Sequence, residues 1–181
     1  MRRGGRSGVG WILVCVAVAG CQIGTISPAR LDAIVHERGG GFDQSVVALA
    51  VDLAVDDPAT LVHRVVADPA AGRVEVVVRD PEDPRVLRTT LVRDGAVESS
   101  TTAAGAGPAV RPAALPLDRL DAMVDLALDR VPAGTAAVAR VAVIAGEGSS
   151  TAVEVRLDGT PSDAVARFDG DGALLAFEDL P

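Results

Sequence analysis

The stretch "TAVEVRLDGTPSDAVARFDGDGALLAFED", residues 151–179, decides how the chain folds. Val153, Val155 and Leu157 alternate with polar residues, the period-two pattern of a strand with one buried face. Asp171-Gly172-Ala173 predicts a tight turn between strands, because glycine supplies the positive φ that a hairpin turn demands. Upstream, the same landmarks recur. Val74-Glu75-Val76 opens an alternating segment with Val74, Val76 and Val78 on the buried side, and Asp94-Gly95-Ala96 repeats the turn.

Ahead of each strand segment stands a nearly identical hexapeptide, "RLDAIV" at 30–35 and "RLDAMV" at 119–124. In the first, Ser27 is the expected N-cap with Pro28 at the first helical position, and Leu31, Ile34 and Val35 mark one helix face. In the second, Asp118 is the expected cap. Leu120, Met123, Val124, Ala127, Leu128 and Val131 carry that stripe as far as Pro132. Helix, Val-Glu-Val strand and Asp-Gly-Ala turn thus come twice in the same order, at offsets of 89, 79 and 77 residues. The surplus in the first copy falls in "LAVDLAVDDPATLVHRVV", residues 49–66, and suggests an extra strand or a long hairpin. Such an internal repetition points to an α+β fold of two tandem helix-plus-antiparallel-sheet repeats, residues 27–98 and 117–181. Residues 99–116, "SSTTAAGAGPAVRPAALP", have no charge but Arg111 and no apolar period, so they read as a linker.

The N-terminus has a different character. Arg2, Arg3 and Arg6 precede the apolar run Val9–Ala19, which is about half of the roughly 20 residues a spanning helix needs, so residues 1–20 read as a secretion signal. Val18-Ala19-Gly20-Cys21 resembles the lipobox of bacterial lipoproteins. That resemblance implies acylation of Cys21, residues 21–26 as a short tether, and a location on the extracytoplasmic face of the cell membrane. Loss of residues 1–20 leaves 14 Arg against 25 Asp and Glu, a net charge of −11 that disfavours nucleic acid as a partner. Cys15 leaves with the signal and Cys21 is capped, which leaves no thiol for a disulfide or a zinc site. The lack of Lys, Asn and Tyr looks like a coding preference.

One helix followed by an antiparallel meander resembles the PepSY-like domain. Two copies in one exported chain are similar to the beta-lactamase-inhibitor-protein family, and residues 151–179 look like the C-terminal half of a PepSY repeat. The resemblance implies non-catalytic binding or inhibition of an envelope enzyme. A departure bears on that implication: Trp11 lies in the signal, so the mature chain has neither Tyr nor Trp, the usual anchors of tight interfaces. Phe42, Phe168 and Phe177 are its aromatic residues, and the last two sit at strand positions suited to core packing.

Catalytic and metal chemistry find little footing in the sequence. His36 follows Asp32 by four residues on the polar side of the first helix and reads as solvated. His63 in "TLVHRVV" reads as an exposed strand residue without a partner. Asp169 and Asp171 in "FDGDG" have the first spacing of a calcium loop without its distal oxygens, so a β-turn is expected and no metal. Asp56-Asp57-Pro58 and "RDPEDPR" at 79–85 read as acidic turns between strands, and "RGGGF" at 38–42 as a helix C-cap. The expectation is a lipid-anchored binding protein of the cell envelope that is not an enzyme and holds no cofactor. It would be attached to the membrane through Cys21 and turned toward an envelope protein, with contacts on sheet edges or the acidic loops. The alternative is a carrier of a lipid or other apolar ligand.

Overall fold

In a computed structural model of the chain, residues 42–180 are described. Helix α1 spans Gln44–Ala54. A meander follows, with β1 at Val62–Asp68, β2 at Arg73–Arg79, β3 at Val86–Arg93 and β4 at Ala96–Ala104. Single 3-10 turns at Pro112–Ala114 and Leu117–Arg119 lead into α2, Leu120–Leu128. A second meander completes the chain, with β5 at Ala136–Ala145, β6 at Thr151–Gly159, β7 at Asp163–Asp169 and β8 at Leu174–Leu180.

All eight strands join in one sheet of order β4-β3-β2-β1-β5-β6-β7-β8, antiparallel throughout. This corrects the expected α+β fold of two tandem helix-plus-antiparallel-sheet repeats. Helices of 11 and 9 residues stand against strands of 7 to 10 residues, so the architecture is dominated by a single sheet. The physical reason is the pairing of β1 with β5, from Arg64↔Ile144 to Ala67↔Val141. Kept apart, each of these strands would be an edge with unpaired backbone N–H and C=O groups.

The apolar landmarks behave as their spacing requires. Val74, Val76 and Val78 are at most 2% exposed, and Val153, Val155 and Leu157 at most 1%. They share cross-strand rows, one of which runs Val92, Val74, Ala67, Val141, Val155, Ala166 and Phe177 from β3 to β8. The helices cover this face, α1 over β1–β3 and α2 over β5–β7, and one continuous core lies beneath them. At the β3–β4 hairpin, Asp94 and Gly95 both take positive φ, +50° and +75°, which is the type I′ pattern.

Two local expectations need revision, and others fall outside the described residues. The predicted helix with Leu31, Ile34 and Val35 lies outside the described residues, as do Cys21, His36 and Asp32. Residues 49–66, expected as an extra strand or long hairpin, instead hold most of α1 and the start of β1. Helix α1 buries Val47, Ala50, Val51 and Ala54 at helical spacing, while Val46, Leu49 and Leu53 on its outer side are 38–45% exposed. A helix apolar on both sides shows no clean stripe, which hides its period. Residues 99–116, a linker by sequence, place Ser99–Ala104 in β4 and bridge Val110 to Val62 through two backbone hydrogen bonds of 2.7 and 2.8 Å.

The helix N-termini meet. Asp43 caps α1 by accepting a 2.8 Å hydrogen bond from the Ser45 N–H. Asp118, the expected cap of α2, sits in the preceding 3-10 turn, and the N-cap residue is Arg119, which makes no side-chain cap bond. The α2 terminus is satisfied across the interface instead. Gln44 Oε1 accepts from the Asp121 N–H at 3.3 Å, and Asp121 Oδ1 accepts from the Gln44 N–H at 3.1 Å. The Asp121 carboxylate thereby lies between two helix N-termini, whose partial positive charges it offsets.

Hydrogen bonds from the side chain and then the backbone of Ser45 hold the Asp43 carboxyl below its usual range. A depressed carboxylate contributes stability that is present above its unfolded pKa and lost as pH falls through its folded pKa. Asp43→Ala is therefore expected to cost about 1 kcal/mol at neutral pH and less in acid, while Asp43→Asn keeps the cap without the pH dependence. Urea unfolding at several pH values checks this. Met123 is 2% exposed in the shared core, so Met123→Asp is expected to cost several kcal/mol and unfold the chain as one unit. Calorimetry showing the β1–β4 half melting independently in that variant would count against a common core.

Candidate binding face

The other face of the sheet has no helix on it among the described residues. Its central row runs Ser99, Leu91, Glu75, Val66, Ala142, Glu154, Arg167 and Ala176, from edge to edge. Two β-bulges determine which side chains reach this face. In β1 the register shifts between Val62 and Arg64, and in β5 between Val138 and Arg140. Each bulge inserts a residue, so both flanking valines of Val62-His63-Arg64-Val65 and of Val138-Ala139-Arg140-Val141 stay in the core. Arg64 and Arg140 consequently project on the open side. Strict alternation would have sent each arginine under a helix.

Ion pairs tile the surface. Arg64 meets Glu75 at 2.6 Å, Arg73 meets Asp68 at 3.4 Å and Arg156 meets Asp163 at 3.3 Å. Arg167 spans Glu154 at 3.3 Å and Glu178 at 2.9 Å. Between them lie apolar positions. Val77 and Val165 are 5% and 6% exposed although no helix among the described residues covers them, and their cross-strand neighbours Arg64 and Arg156 have methylene stems long enough to shield them. Ile144, opposite Arg64, remains 41% exposed. Beside it, a recess of about 310 Å³ is lined by Arg64, Arg73, Arg140, Asp68 and Glu75 together with Thr89, Ser99 and Thr101.

The residues singled out from sequence fall elsewhere. His63 is half-buried rather than exposed, and it does have a partner: its Nδ1 lies 2.7 Å from the Pro108 carbonyl oxygen, which fixes Nδ1–H as the donor. Its ring fills the space beside Gly107, where an added Cβ would come within 2.6 Å of Cε1. His63 thus fastens the crossover to β1, alongside a hydrogen bond from Arg79 to the Gly107 carbonyl. In "FDGDG", Asp169 Oδ1 accepts from the Asp171 and Ala173 N–H groups at 2.9 and 2.8 Å, so the carboxylate closes the turn. Asp57, Asp80 and Asp83 close their own turns by the same means. Two other acids of these loops pair with arginines, Asp56 with Arg88 at 2.7 Å and Asp171 with Arg119 at 3.4 Å. Arg64 and Arg140 were legible in principle, since V-x-R-V occurs once in each meander and breaks strand alternation at the same point.

Exposed ion pairs contribute little to stability, typically below about 1 kcal/mol. Arg64→Gln and Arg156→Gln are accordingly expected to shift the urea midpoint by no more than this, so that changes on the open face report on binding rather than folding. A loss of several kcal/mol in either variant would show the lattice to be structural. Comparison of the chain with protein-family models, with curated proteins and with solved structures finds no match in any of the three, so its own geometry is what bears on function.

Proposed function

We propose that the chain is a lipid-anchored, non-catalytic binding protein of the bacterial cell envelope, and that the open sheet face receives a protein partner. The observation that carries this is the arginine lattice beside the exposed Ile144, on a face that bears no helix among the described residues. Arginine is among the side chains that dominate interface energetics, and it supplies here what Tyr and Trp, both absent after residue 20, would otherwise provide. The resemblance of Val18-Ala19-Gly20-Cys21 to the lipobox, which implies attachment through Cys21, supports the envelope setting. The apolar-carrier alternative has less support. The apolar recess between α1 and the β1–β2 hairpin, lined by Phe42, Val46, Val47 and Val74, holds about 100 Å³. Pockets for drug-sized ligands begin at roughly 300 Å³.

The test uses the full-length chain in a bacterial envelope, with a photo-crosslinking residue at position 144 or, as a control, at Leu126 on the outer side of α2. Position 144 is expected to capture a discrete envelope protein that position 126 does not. Equal labelling at both positions would overturn the assignment of the open face. In the same host, Cys21→Ala is expected to leave the precursor unprocessed and weakly retained, because two acyl chains are what make attachment lasting. Normal maturation with full membrane retention of that variant would refute the anchor.

A further inference from the structure

We infer that the recess on the open face is a carboxylate-binding site bordered on its β5 side by Arg140, and that the partner presents an Asp or Glu side chain to this arginine. The inference rests on that face being the binding surface. It starts from the two central strands, where V-x-R-V and its bulge place Arg64 and Arg140 in matching positions. Each arginine has an acid within reach on the next strand. Glu75 lies opposite Val66, two residues beyond Arg64, and Glu154 lies opposite Ala142, two residues beyond Arg140. Arg64 takes its acid at 2.6 Å. Arg140 does not, because Glu154 is bound by Arg167. The residue opposite Glu75 on β3 is Leu91, whereas the residue opposite Glu154 on β7 is Arg167. That one difference, leucine against arginine, withdraws the acid from Arg140.

Among the described residues Arg140 has no acidic partner, and its direct cross-strand neighbour is Arg156, a like charge in a position that disfavours the pair. The recess sets three guanidinium groups against the carboxylates of Asp68 and Glu75, an excess of one positive charge in a chain of net charge −8. One carboxylate neutralises that excess, and its two oxygens match the guanidinium fork. A phosphate brings a second negative charge close to Asp68 and Glu75, so the balance of charge selects the carboxylate.

The test is a titration of the full chain in detergent micelles with an acetylated, amidated triglutamate peptide, followed through the arginine side-chain NMR signals. Saturable movement of the Arg140 signal is expected, with no response to the triglutamine peptide. Arg140→Gln is expected to weaken binding by about tenfold, the scale of one charge-assisted contact. Arg167→Leu, which frees Glu154 to pair with Arg140, is expected to weaken it comparably without touching the site. Unchanged affinity in both variants would overturn the site. Equal binding by inorganic phosphate or by acetate alone would overturn its assignment to a protein carboxylate. An undiminished crosslink from position 144 in the Arg140→Gln chain would also overturn it while leaving the open face as the binding surface. Peptide binding at Arg140 without any crosslinked protein would support the site and tell against the protein-partner function.

Discussion

The antiparallel pairing of β1 with β5, Arg64 opposite Ile144 through Ala67 opposite Val141, is the contact on which the remaining architecture depends. Two separate four-stranded sheets would each cover their buried face with one short helix, and small units bury too little surface to be comfortably stable. Joined, they share an apolar row from Val92 to Phe177 and a single core. The join also brings the helix N-termini together, where Gln44 and Asp121 exchange hydrogen bonds. The same pairing creates an open face eight strands wide, much larger than either meander alone could present.

The bulges and that pairing depend on each other. Val62 and Val65 are both buried, as are Val138 and Val141, a spacing of three that regular alternation forbids. Without the extra residue, burying one valine of each pair would expose the other or drive an arginine under a helix. An unpaired guanidinium there would cost several kcal/mol. The bulge removes the conflict by shifting phase within the strand, at the price of one unpaired position. His63 occupies that position in β1 and uses it to hold the Pro108 carbonyl. The feature that re-aims the arginine thus also anchors the crossover between the two meanders.

What could be read from the sequence follows from how local each signal is. The Val-Glu-Val strands, the Asp-Gly-Ala turns and the buried stripe of α2 depend on neighbours within one or two turns of chain, and Val74, Val155, Gly95 and Met123 stand where their patterns place them. Helix α1 was not legible, because Val46, Leu49 and Leu53 fill its outer face and erase the period. The first "RLDA" hexapeptide, residues 30–35, lies outside the described residues, and the described helix over β1–β3 is Gln44–Ala54. Merging of the sheets depends on contacts between residues about 76 positions apart, such as Val66 and Ala142, and no local pattern encodes these. The binding face stayed hidden with it, since its central row exists only once β1 and β5 are side by side.

Net charge misleads in a more instructive way. The chain contains no Asn, the residue that shares with Asp the ability to hydrogen-bond the backbone two residues on and so close a turn. Asp57, Asp80, Asp83 and Asp169 each perform that task here, accepting from backbone N–H groups at 2.7 to 3.2 Å. Each adds a negative charge where a neutral amide would have served. Part of the −8 is therefore a by-product of turn chemistry written without asparagine, and it carries no information about a partner. Screening confines such exposed charges to roughly 8 Å in physiological salt, so the rims of the sheet do not determine the potential at its centre. The charge that bears on recognition is the local one on the open face. In its recess three arginines meet two carboxylates, and Arg140 stands opposite Arg156 while Glu154 is held by Arg167.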